Sequence, residues 1–267
     1  MARFSTQLTG AHVLVTGGSK GIGKVIVESF LAEGANVSYC ARTVRHDQFS
    51  SLKDTTDGAR VVGSNVDISD PESIKAWVEK SAEEFGRIDV VVANACPGYS
   101  EATLEDWQKS FQSDVLGLWT LIDVATPHLE KRGGTGSIVV ISSVAGFVTK
   151  HPGIGGPYSV VKRAQATMAT DLSRKLGPQG IRINTVVPGG IETASLILPD
   201  GTEQLSTFGA IRKDNPEFIE SIIKAVPLGT LGESQDVANA VVYLGSGLAK
   251  YVHGTKLFVD GGVSGIL

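Results

Sequence analysis

The sequence predicts a doubly wound α/β fold, in which a largely parallel sheet of about seven strands carries helices on both faces. Three observations predict it. Short β-branched runs alternate with longer amphipathic segments along the chain. A glycine-rich stretch joins the first of these runs to the first amphipathic segment. No repeat, low-complexity tract or linker divides the 267 residues, so we expect residues 1–267 to form one domain with a sizeable core.

Runs rich in valine, isoleucine and threonine are the strand candidates. In chain order they are His12–Thr16, Asn36–Cys40, Arg60–Asn65, Ile88–Ala93, Ser137–Ser142, Ile181–Val187 and Lys256–Val259. The segments with helical periodicity are Ile22–Ala32, Pro71–Phe85, Leu104–Leu129, Tyr158–Leu176 and Ser234–Leu244. Because strands joined by crossover helices become parallel neighbours, this order predicts a single parallel sheet.

The segment Ala194–Pro227 interrupts this alternation after the sixth strand candidate. It scatters apolar residues such as Leu196, Phe208 and Ile222 among charges and glycines. Long insertions in compact domains are often functional, so we expect a lid over a substrate pocket. The alternative is an irregular helical excursion that packs a small core of its own.

Composition and charge disfavour several classes of function. The formal net charge is −4 and basic residues form no consecutive block, so binding to nucleic acid or to anionic membranes is disfavoured. Residues Met1–Gly10 contain no apolar signal core, and no stretch approaches the roughly 20 apolar residues of a membrane span. The two cysteines, Cys40 and Cys96, are typical of reduced thiols. We therefore expect a cytoplasmic protein that acts on a small molecule.

The stretch Thr16–Gly23, Thr-Gly-Gly-Ser-Lys-Gly-Ile-Gly, follows the first strand candidate and opens the first helix. Glycines permit a tight turn and let the backbone approach a pyrophosphate, while the N–H groups of the helix start attract the anion. This position favours a dinucleotide site over a glycine turn with a purely structural role. The candidate contact residues are Gly17, Ser19, Lys20, Gly21, Ile22 and Gly23.

The end of the second strand candidate bears on cofactor choice. A site for an unphosphorylated ribose has an acidic residue there, which accepts hydrogen bonds from the ribose hydroxyls. This chain reads Cys40-Ala41-Arg42-Thr43 instead, with Lys20 in the glycine turn as a second cation. Both cations can bind a 2′-phosphate through charge-assisted hydrogen bonds, so we expect NADP(H). The alternative is that both are solvated surface charges.

Three further residues form a candidate proton-transfer group. Tyr158 and Lys162 are four positions apart at a helix start, which puts them on the same face. An ammonium group beside a phenol stabilises the phenolate and so suits the phenol to general acid–base catalysis. Ser143 follows a strand candidate at the carboxyl edge of the sheet, where open α/β folds bind ligands. Taken singly, the pair is typical of a helix surface and the serine of a cap or turn.

Together these motifs resemble the short-chain dehydrogenase/reductase family over essentially the whole chain, and their order and approximate spacing also fit. The matching residues are Thr16-Gly17-x-x-x-Gly21-x-Gly23, Asn65-Val66-Asp67-Ile68, Asn94-Ala95, Ser143, Tyr158-x-x-x-Lys162, Pro188-Gly189 and Val259-Asp260-Gly261-Gly262. The resemblance implies a Rossmann-type fold, a nicotinamide cofactor and a homo-oligomer, either a dimer or a tetramer.

The resemblance also implies roles for residues along the cofactor. Asp67 and Ile68 would contact the adenine, and Asn94 would line the cofactor groove. The residues expected at the nicotinamide end are Pro188, Gly189, Ile191 and Thr193.

By the same resemblance, Tyr158 would transfer the proton and Ser143 would orient the substrate oxygen. Lys162 would bind the nicotinamide ribose and favour the phenolate of Tyr158. In the reducing direction, hydride would reach the substrate carbon while Tyr158 protonates the oxygen.

Three departures limit the resemblance. Cys96 stands where the family usually has glycine after Asn-Ala. The interval from Ser143 to Tyr158 is longer than in common members, and it carries the loop Lys150–Pro157. Asp114 aligns with the family's catalytic asparagine, which helps to hold a water leading protons toward the lysine. Asp114 would keep that role, partly through its main chain, or else make only a structural hydrogen bond in its helix.

These residues favour an NADP(H)-dependent oxidoreductase that transfers a hydride between the nicotinamide and a ketone, an aldehyde or a secondary alcohol. We expect carbonyl reduction of a medium-sized, partly hydrophobic substrate of secondary metabolism. Two rival functions are an isomerase or dehydratase on the same fold, and a cofactor-binding protein that has lost catalysis. The five histidines show no metal-ligand spacing, and His151 in the longer loop is a candidate substrate contact.

Overall fold

The computed structural model describes residues 5–45, 48–49, 58–97, 102–148, 156–197 and 201–266. Within these ranges the strands form a seven-stranded sheet whose pairings are all parallel. The strands are β1 (His12–Thr16), β2 (Asn36–Ala41), β3 (Val61–Asn65), β4 (Val90–Ala93), β5 (Gly136–Ile141), β6 (Ile181–Pro188) and β7 (Lys256–Val259). Their order is β7-β6-β5-β4-β1-β2-β3, which confirms the doubly wound α/β prediction.

Helices cover both faces of this sheet. They are α1 (Gly21–Ala32), α2 (Pro71–Phe85), α3 (Leu104–Ser110), α4 (Gly117–Glu130), α5 (Tyr158–Leu176), α6 (Thr207–Asp214), α7 (Pro216–Ala225) and α8 (Ser234–Gly245). Helices α1 and α8 pack on one face, and α2, α4 and α5 pack on the other. Among the described helices, none has the length and hydropathy needed to span a bilayer.

The core consists of two apolar layers, one on each side of the sheet. Strand β1 alternates between them, because successive side chains of a strand point to opposite faces. Val13 and Val15 join Phe30 of α1, whereas Leu14 joins Leu129 of α4. Burying each such side chain completely adds about 1.5–3 kcal/mol to the stability of the fold. A strand buried on both faces must be apolar along its length, which is why these runs were recognisable in the sequence.

The predicted helical segment Leu104–Leu129 is helical along its length, but it is not α-helical throughout. A π-helical segment, Phe111–Leu116, separates α3 from α4. The N–H of Gly117 donates to the carbonyl of Gln112, five residues earlier. Gly117 also packs against the carbonyl oxygen of Ile68, which would lie 2.2 Å from a Cβ at this position. This tertiary contact accompanies the local widening, a geometry that recurs at functional sites.

The segment Ala194–Pro227, apart from its undescribed residues 198–200, consists of a short hairpin and two helices. In the hairpin Leu196–Ile197 pairs with Glu203–Gln204 in antiparallel fashion, and α6 and α7 follow it. Ile219 of α7 is buried. Helices α6 and α7 contact each other, and the choice between a lid and a helical excursion with its own core stays a prediction.

A buried carboxylate, Asp89, joins loops at the amino edge of the sheet, opposite the carboxyl ends of the strands. It accepts hydrogen bonds from the His12 main chain at 2.8 Å, from two nitrogens of Arg87 at 2.7 Å each, and from Arg132 Nε at 2.6 Å. Burial opposes ionisation of Asp89, but the hydrogen bonds from Arg87 and His12 outweigh it and hold the pKa of Asp89 below its usual value. This network anchors β1 and β4 to the loop that follows α4.

Replacing Asp89 with asparagine should lower the free energy of unfolding by about 2–3 kcal/mol at neutral pH, because two guanidinium groups lose their charged partner. A carboxylate with a depressed folded-state pKa contributes stability above its unfolded pKa of about 3.9 and loses it as pH falls through the folded value. The difference between wild type and Asp89→Asn, measured by urea denaturation, should therefore shrink in acid. Glu105→Gln, which breaks an exposed ion pair with Lys109, is the control and should change little. A pH-independent difference would contradict this account.

Candidate active site

The candidate site lies at the carboxyl edge of the sheet, where β1, β4, β5 and β6 end. Strands β1 and β4 are neighbours although β2 and β3 lie between them in the chain. The crossover connections therefore leave β1 toward one side and β4 toward the other. A crevice at such a reversal is the usual ligand site of an open α/β sheet.

The glycine turn between β1 and α1 leaves room for backbone alone. Gly17 and Gly21 have φ values of +70° and +53°, which side chains rarely adopt. A Cβ on Gly23 would lie 2.1 Å from the carbonyl oxygen of Gly17. Lys20 precedes α1 in an extended conformation, and its side chain makes no capping hydrogen bond to the first N–H groups of that helix. This turn fits a dinucleotide pyrophosphate, since a backbone cradle and a helix start are what an anion needs.

Asn94 and Thr16 join the end of β4 to the glycine turn. Asn94 Nδ2 donates to the carbonyls of Thr16 at 3.0 Å and Gly17 at 3.3 Å. The Thr16 hydroxyl oxygen accepts from the main-chain N–H groups of Asn94 and Ala95, both at 3.0 Å. Asn94 thus lies beside the turn and holds its shape, while its place in the cofactor groove stays a prediction. The sequence reasoning quoted Thr16 only as part of the motif and missed this role.

The two candidate 2′-phosphate cations are exposed on adjoining segments of the rim. The main-chain N–H groups of Gly17 and Gly18 donate to the carbonyl of Cys40, so the end of β2 abuts the glycine turn. Gln48 Nε2 also donates to the carbonyl of Ser19 at 2.5 Å. These contacts join the segment that carries Arg42 to the turn that carries Lys20, and both cations are exposed.

Asp67 lies exposed just after β3, beside the same rim. Its carboxylate accepts from the main-chain N–H of Ser69 at 2.9 Å and from the Ser69 hydroxyl at 2.7 Å. These two hydrogen bonds hold the pKa of Asp67 below its usual value, with a smaller contribution from the charge of Arg42. The side chain therefore shapes the turn before α2, while Ile68 packs against the core and supports Gly117 through its carbonyl.

The residues predicted for the nicotinamide end follow β6. Pro188 ends that strand, and the Gly189 N–H donates to the carbonyl of Val259 at 2.9 Å. Ile191 is buried and starts a short parallel ladder in which Ile191–Glu192 pairs with Gly232–Glu233. The Thr193 methyl would lie 3.6 Å from a Cβ on Gly21. The chain after β6 therefore passes directly beside the glycine turn.

The chain on either side of Ser143 packs against the main chain of α5. The Ser142 hydroxyl donates to the carbonyl of Lys162 at 2.7 Å. Gly146 packs so closely on Arg163 that a Cβ would lie 2.8 Å from the Arg163 nitrogen. The Ser143 oxygen accepts from the Ala145 N–H at 3.2 Å and caps a short 3₁₀ turn. Its hydroxyl hydrogen remains available as a donor.

Lys162 lies one helical turn after Tyr158, with Nζ 5.8 Å from the centre of the Tyr158 ring. Its side chain is buried, and Nζ donates to the carbonyl of Ile141 at 3.1 Å and to Gln165 Oε1 at 3.0 Å. Asp114 Oδ1 is 3.7 Å from Nζ. The structure therefore brings Tyr158, Lys162 and Asp114 together.

Asp114 belongs to the π-helical segment, and both its main chain and its side chain are engaged. Gln165 Nε2 donates to the Asp114 main-chain carbonyl at 2.8 Å. The Ser113 hydroxyl donates to Asp114 Oδ2 at 2.9 Å. Gln165 was not predicted from the sequence. Its position three residues after Lys162 puts both on the same helical face, and this spacing could have indicated a contact.

Other candidate residues stand apart from this cluster. His151 and the rest of the loop up to Gly155 lie outside the described residues. His12 is buried among β-strands and contacts the Arg87 carbonyl and the Ser38 hydroxyl, which is a packing role. Burial raises the pKa of the Cys40 thiol to about 12. Within the described ranges, no three histidine, cysteine or acidic side chains lie together as a metal site would require.

A family model described as enoyl-(acyl carrier protein) reductase matches residues 17–264. Isoepoxydon dehydrogenase of Penicillium expansum is 44% identical over 265 residues, which cover 97% of each chain. The chain belongs to the short-chain dehydrogenase/reductase family. A short-chain dehydrogenase/reductase is an oxidoreductase with a nicotinamide cofactor, and the glycine turn described above fits that cofactor.

Solved structures of the family share the fold closely. Levodione reductase superposes with a TM-score of 0.86 at 26% identity, and the superposition covers 98% of this chain and 100% of the other. A putative 2-deoxy-d-gluconate 3-dehydrogenase from Agrobacterium tumefaciens, with bound NADP, has a TM-score of 0.81 at 27% identity and covers 98% and 99% of the two chains. The prediction of a Rossmann-type short-chain dehydrogenase/reductase is confirmed.

Proposed function

We propose that this short-chain dehydrogenase/reductase transfers a hydride between NADP(H) and a ketone, an aldehyde or a secondary alcohol, acting chiefly as a carbonyl reductase. The observation that carries the proposal is the buried ammonium of Lys162 beside the ring of Tyr158. This pair lies at the sheet edge that also carries the glycine turn. A proton donor and a hydride carrier are the two partners that carbonyl reduction requires.

The chain's own residues would handle the substrate oxygen. The nicotinamide, when bound, supplies or accepts the hydride. Ser143 donates a hydrogen bond to the substrate oxygen, since its own oxygen already accepts from Ala145. Tyr158 delivers the proton to that oxygen in reduction and removes it in oxidation. The fixed charge of Lys162 stabilises the phenolate that Tyr158 becomes after giving up its proton.

The proposed choice of NADP(H) rests on the cations at the rim. Arg42 and Lys20 are exposed and free to reorient toward a 2′-phosphate. The acid that binds ribose hydroxyls normally follows β2. Asp67 follows β3 instead, and its carboxylate already accepts two hydrogen bonds from Ser69. The bound NADP of the Agrobacterium tumefaciens relative agrees with this choice.

We propose a medium-sized, partly hydrophobic substrate of secondary metabolism. Phe208 and Ile222 of the segment Ala194–Pro227 would lie 3.5 and 3.8 Å from a Cβ built on Gly190, which stands among the residues proposed for the nicotinamide end. They would give the substrate an apolar wall. The similarity to a relative named isoepoxydon dehydrogenase supports a secondary alcohol or its ketone as the substrate.

We also propose a homo-oligomer that works in a reducing, cytoplasmic-type compartment. Phe111 and Leu116 of the π-helical segment and Trp119 of the first turn of α4 are between 40% and 51% exposed, and a group of exposed large apolar side chains is typical of an interaction surface. Cys40 and Cys96 are thiols, with no disulfide between them.

Substituting aspartate for Arg42 should reverse or abolish the preference for NADP(H), because a carboxylate repels a 2′-phosphate and accepts from ribose hydroxyls. The measurement is the Kd of wild type and variant for NADPH and NADH by fluorescence titration. Lys75→Asp, on the exposed face of α2, makes the same charge change away from the rim and should leave the ratio of the two Kd values unaltered. Tighter binding of NADH than NADPH by wild type would refute the cofactor assignment.

Replacing Tyr158 with phenylalanine should lower turnover by about 10²–10⁴-fold while NADPH binding persists, because only the proton donor is removed. Turnover is followed by nicotinamide absorbance against a panel of ketones, secondary alcohols and an enoyl thioester. Tyr251→Phe, at a fully exposed tyrosine, is the matched control. Rearrangement without net cofactor oxidation would favour an isomerase, and activity confined to the enoyl thioester would refute carbonyl reduction.

The segment Ala194–Pro227 should gain protection from hydrogen exchange in α6 and α7 when NADP(H) and substrate bind, because a lid closes to exclude water. Amides of the core helix α8 provide the internal reference. Equal protection of α6 and α7 in the free and ternary states would favour the alternative, a helical excursion with a permanent small core.

A further inference from the structure

Gln165 is a buried carboxamide that joins two parts of the site. Its side chain lies on the inner face of α5 and the residue is 3% exposed. The oxygen accepts from Lys162 Nζ at 3.0 Å, and the nitrogen donates to the main-chain carbonyl of Asp114 at 2.8 Å. A side chain with both ends engaged in this way connects the ammonium group to the π-helical segment.

The partners determine which way the carboxamide faces. An ammonium group can only donate, and a carbonyl oxygen can only accept. Rotating the Gln165 amide by half a turn would set its NH₂ group against Lys162 and its oxygen against the Asp114 carbonyl. Both contacts would then be repulsive, so the observed orientation is the one that satisfies the site.

This bridge limits what the ammonium group can reach. Nζ has three N–H donors, and the Ile141 carbonyl and Gln165 Oε1 engage two of them. One donor therefore remains for the cofactor or Tyr158. Asp114 Oδ1, at 3.7 Å, is near enough to attract the charge and too far to take that donor as a hydrogen bond.

The charged and titratable groups around this donor come from two elements. Asp114 faces it from the π-helical segment, and Tyr158 precedes it on α5. Strand β5 contributes the neutral carbonyl of Ile141. Without the carboxamide, the Ile141 carbonyl would be the one hydrogen-bond acceptor among these described groups that holds the ammonium against the pull of the Asp114 carboxylate.

We propose that Gln165 is a positioning residue: its carboxamide holds Lys162 between Ile141 and Asp114 and so keeps the ammonium directed to Tyr158. Gln165 acts through Lys162 and touches neither substrate nor cofactor. The inference rests on the proposed acid–base role of Tyr158. Loss of the bridge lets Lys162 pair directly with Asp114, which weakens its stabilisation of the Tyr158 phenolate.

Two variants test this assignment. Gln165→Met keeps an unbranched side chain of similar length and removes both hydrogen bonds. It should lower kcat about tenfold to a hundredfold, as small displacements of catalytic groups do. It should also raise the pH midpoint of alcohol oxidation by at least about half a unit, since a less well-directed ammonium favours the phenolate less. Gln165→Glu, nearly isosteric, adds a negative charge beside Lys162 and should raise the midpoint further.

Asn184→Leu is the matched control. Asn184 is also a fully buried carboxamide, and it donates to the Val252 carbonyl at 2.9 Å and accepts from the Thr255 N–H at 3.1 Å. It makes the same kind of bridge without contacting Lys162. Its loss should lower thermal stability and leave the pH midpoint unchanged, which separates a positioning role from a structural one.

A second measurement needs no turnover. The ultraviolet absorbance of phenolate, recorded against pH in the cofactor-free protein, isolates Tyr158 when each variant is compared with its Tyr158→Phe counterpart. The Tyr158 titration should move to higher pH in Gln165→Met and Gln165→Glu. If Gln165→Met fails to fold, Gln165→Glu carries both measurements.

The outcomes distinguish the two proposals. An inactive wild type, or an active Tyr158→Phe, would overturn the proposed function, and the absorbance titration would still test Gln165. An active wild type whose Gln165 variants keep the wild-type midpoint in both measurements, with kcat no lower than in Asn184→Leu, would overturn the positioning role alone.

Discussion

The ammonium group of Lys162 is a charge held out of water, and three elements meet in order to satisfy it. Strand β5 supplies the Ile141 carbonyl, α5 supplies Gln165, and the π-helical segment supplies Asp114. A buried charge is tolerated only when it is paired and hydrogen-bonded. Because each partner comes from a different element, this charge keeps the strand end, the helix and the widened turn in fixed positions around Tyr158.

The sheet could be predicted from the sequence because parallel strands buried on both faces are apolar throughout. The bounds of β1, α2 and α5 agree with the prediction residue for residue. The π-helical segment could not be predicted in this way. It accompanies the approach of Gly117 to the Ile68 carbonyl, a contact between distant parts of the chain that local periodicity does not reveal.

Motif spacing predicted that the glycine turn, Ser143, Tyr158 and Lys162 share one edge, since the carboxyl ends of parallel strands meet there. The contacts of Asp114 could not be predicted from the sequence, because its hydrogen bond with Gln165 depends on the π-helical widening of the helix. The sequence left two roles open for Asp114. The structure adds a third feature, a main-chain carbonyl already bonded to a glutamine side chain. The catalytic assignments themselves stay predictions.

The π-helical segment also imposes an angular relation on the helices it joins. An α-helix turns by about 100° per residue, so one extra residue rotates everything that follows by that angle. Phe111–Leu116 accommodates such a residue. Deleting one residue there would swing Leu121 and Leu129 of α4 off the sheet. This stretch can therefore vary in residue type far more readily than in length.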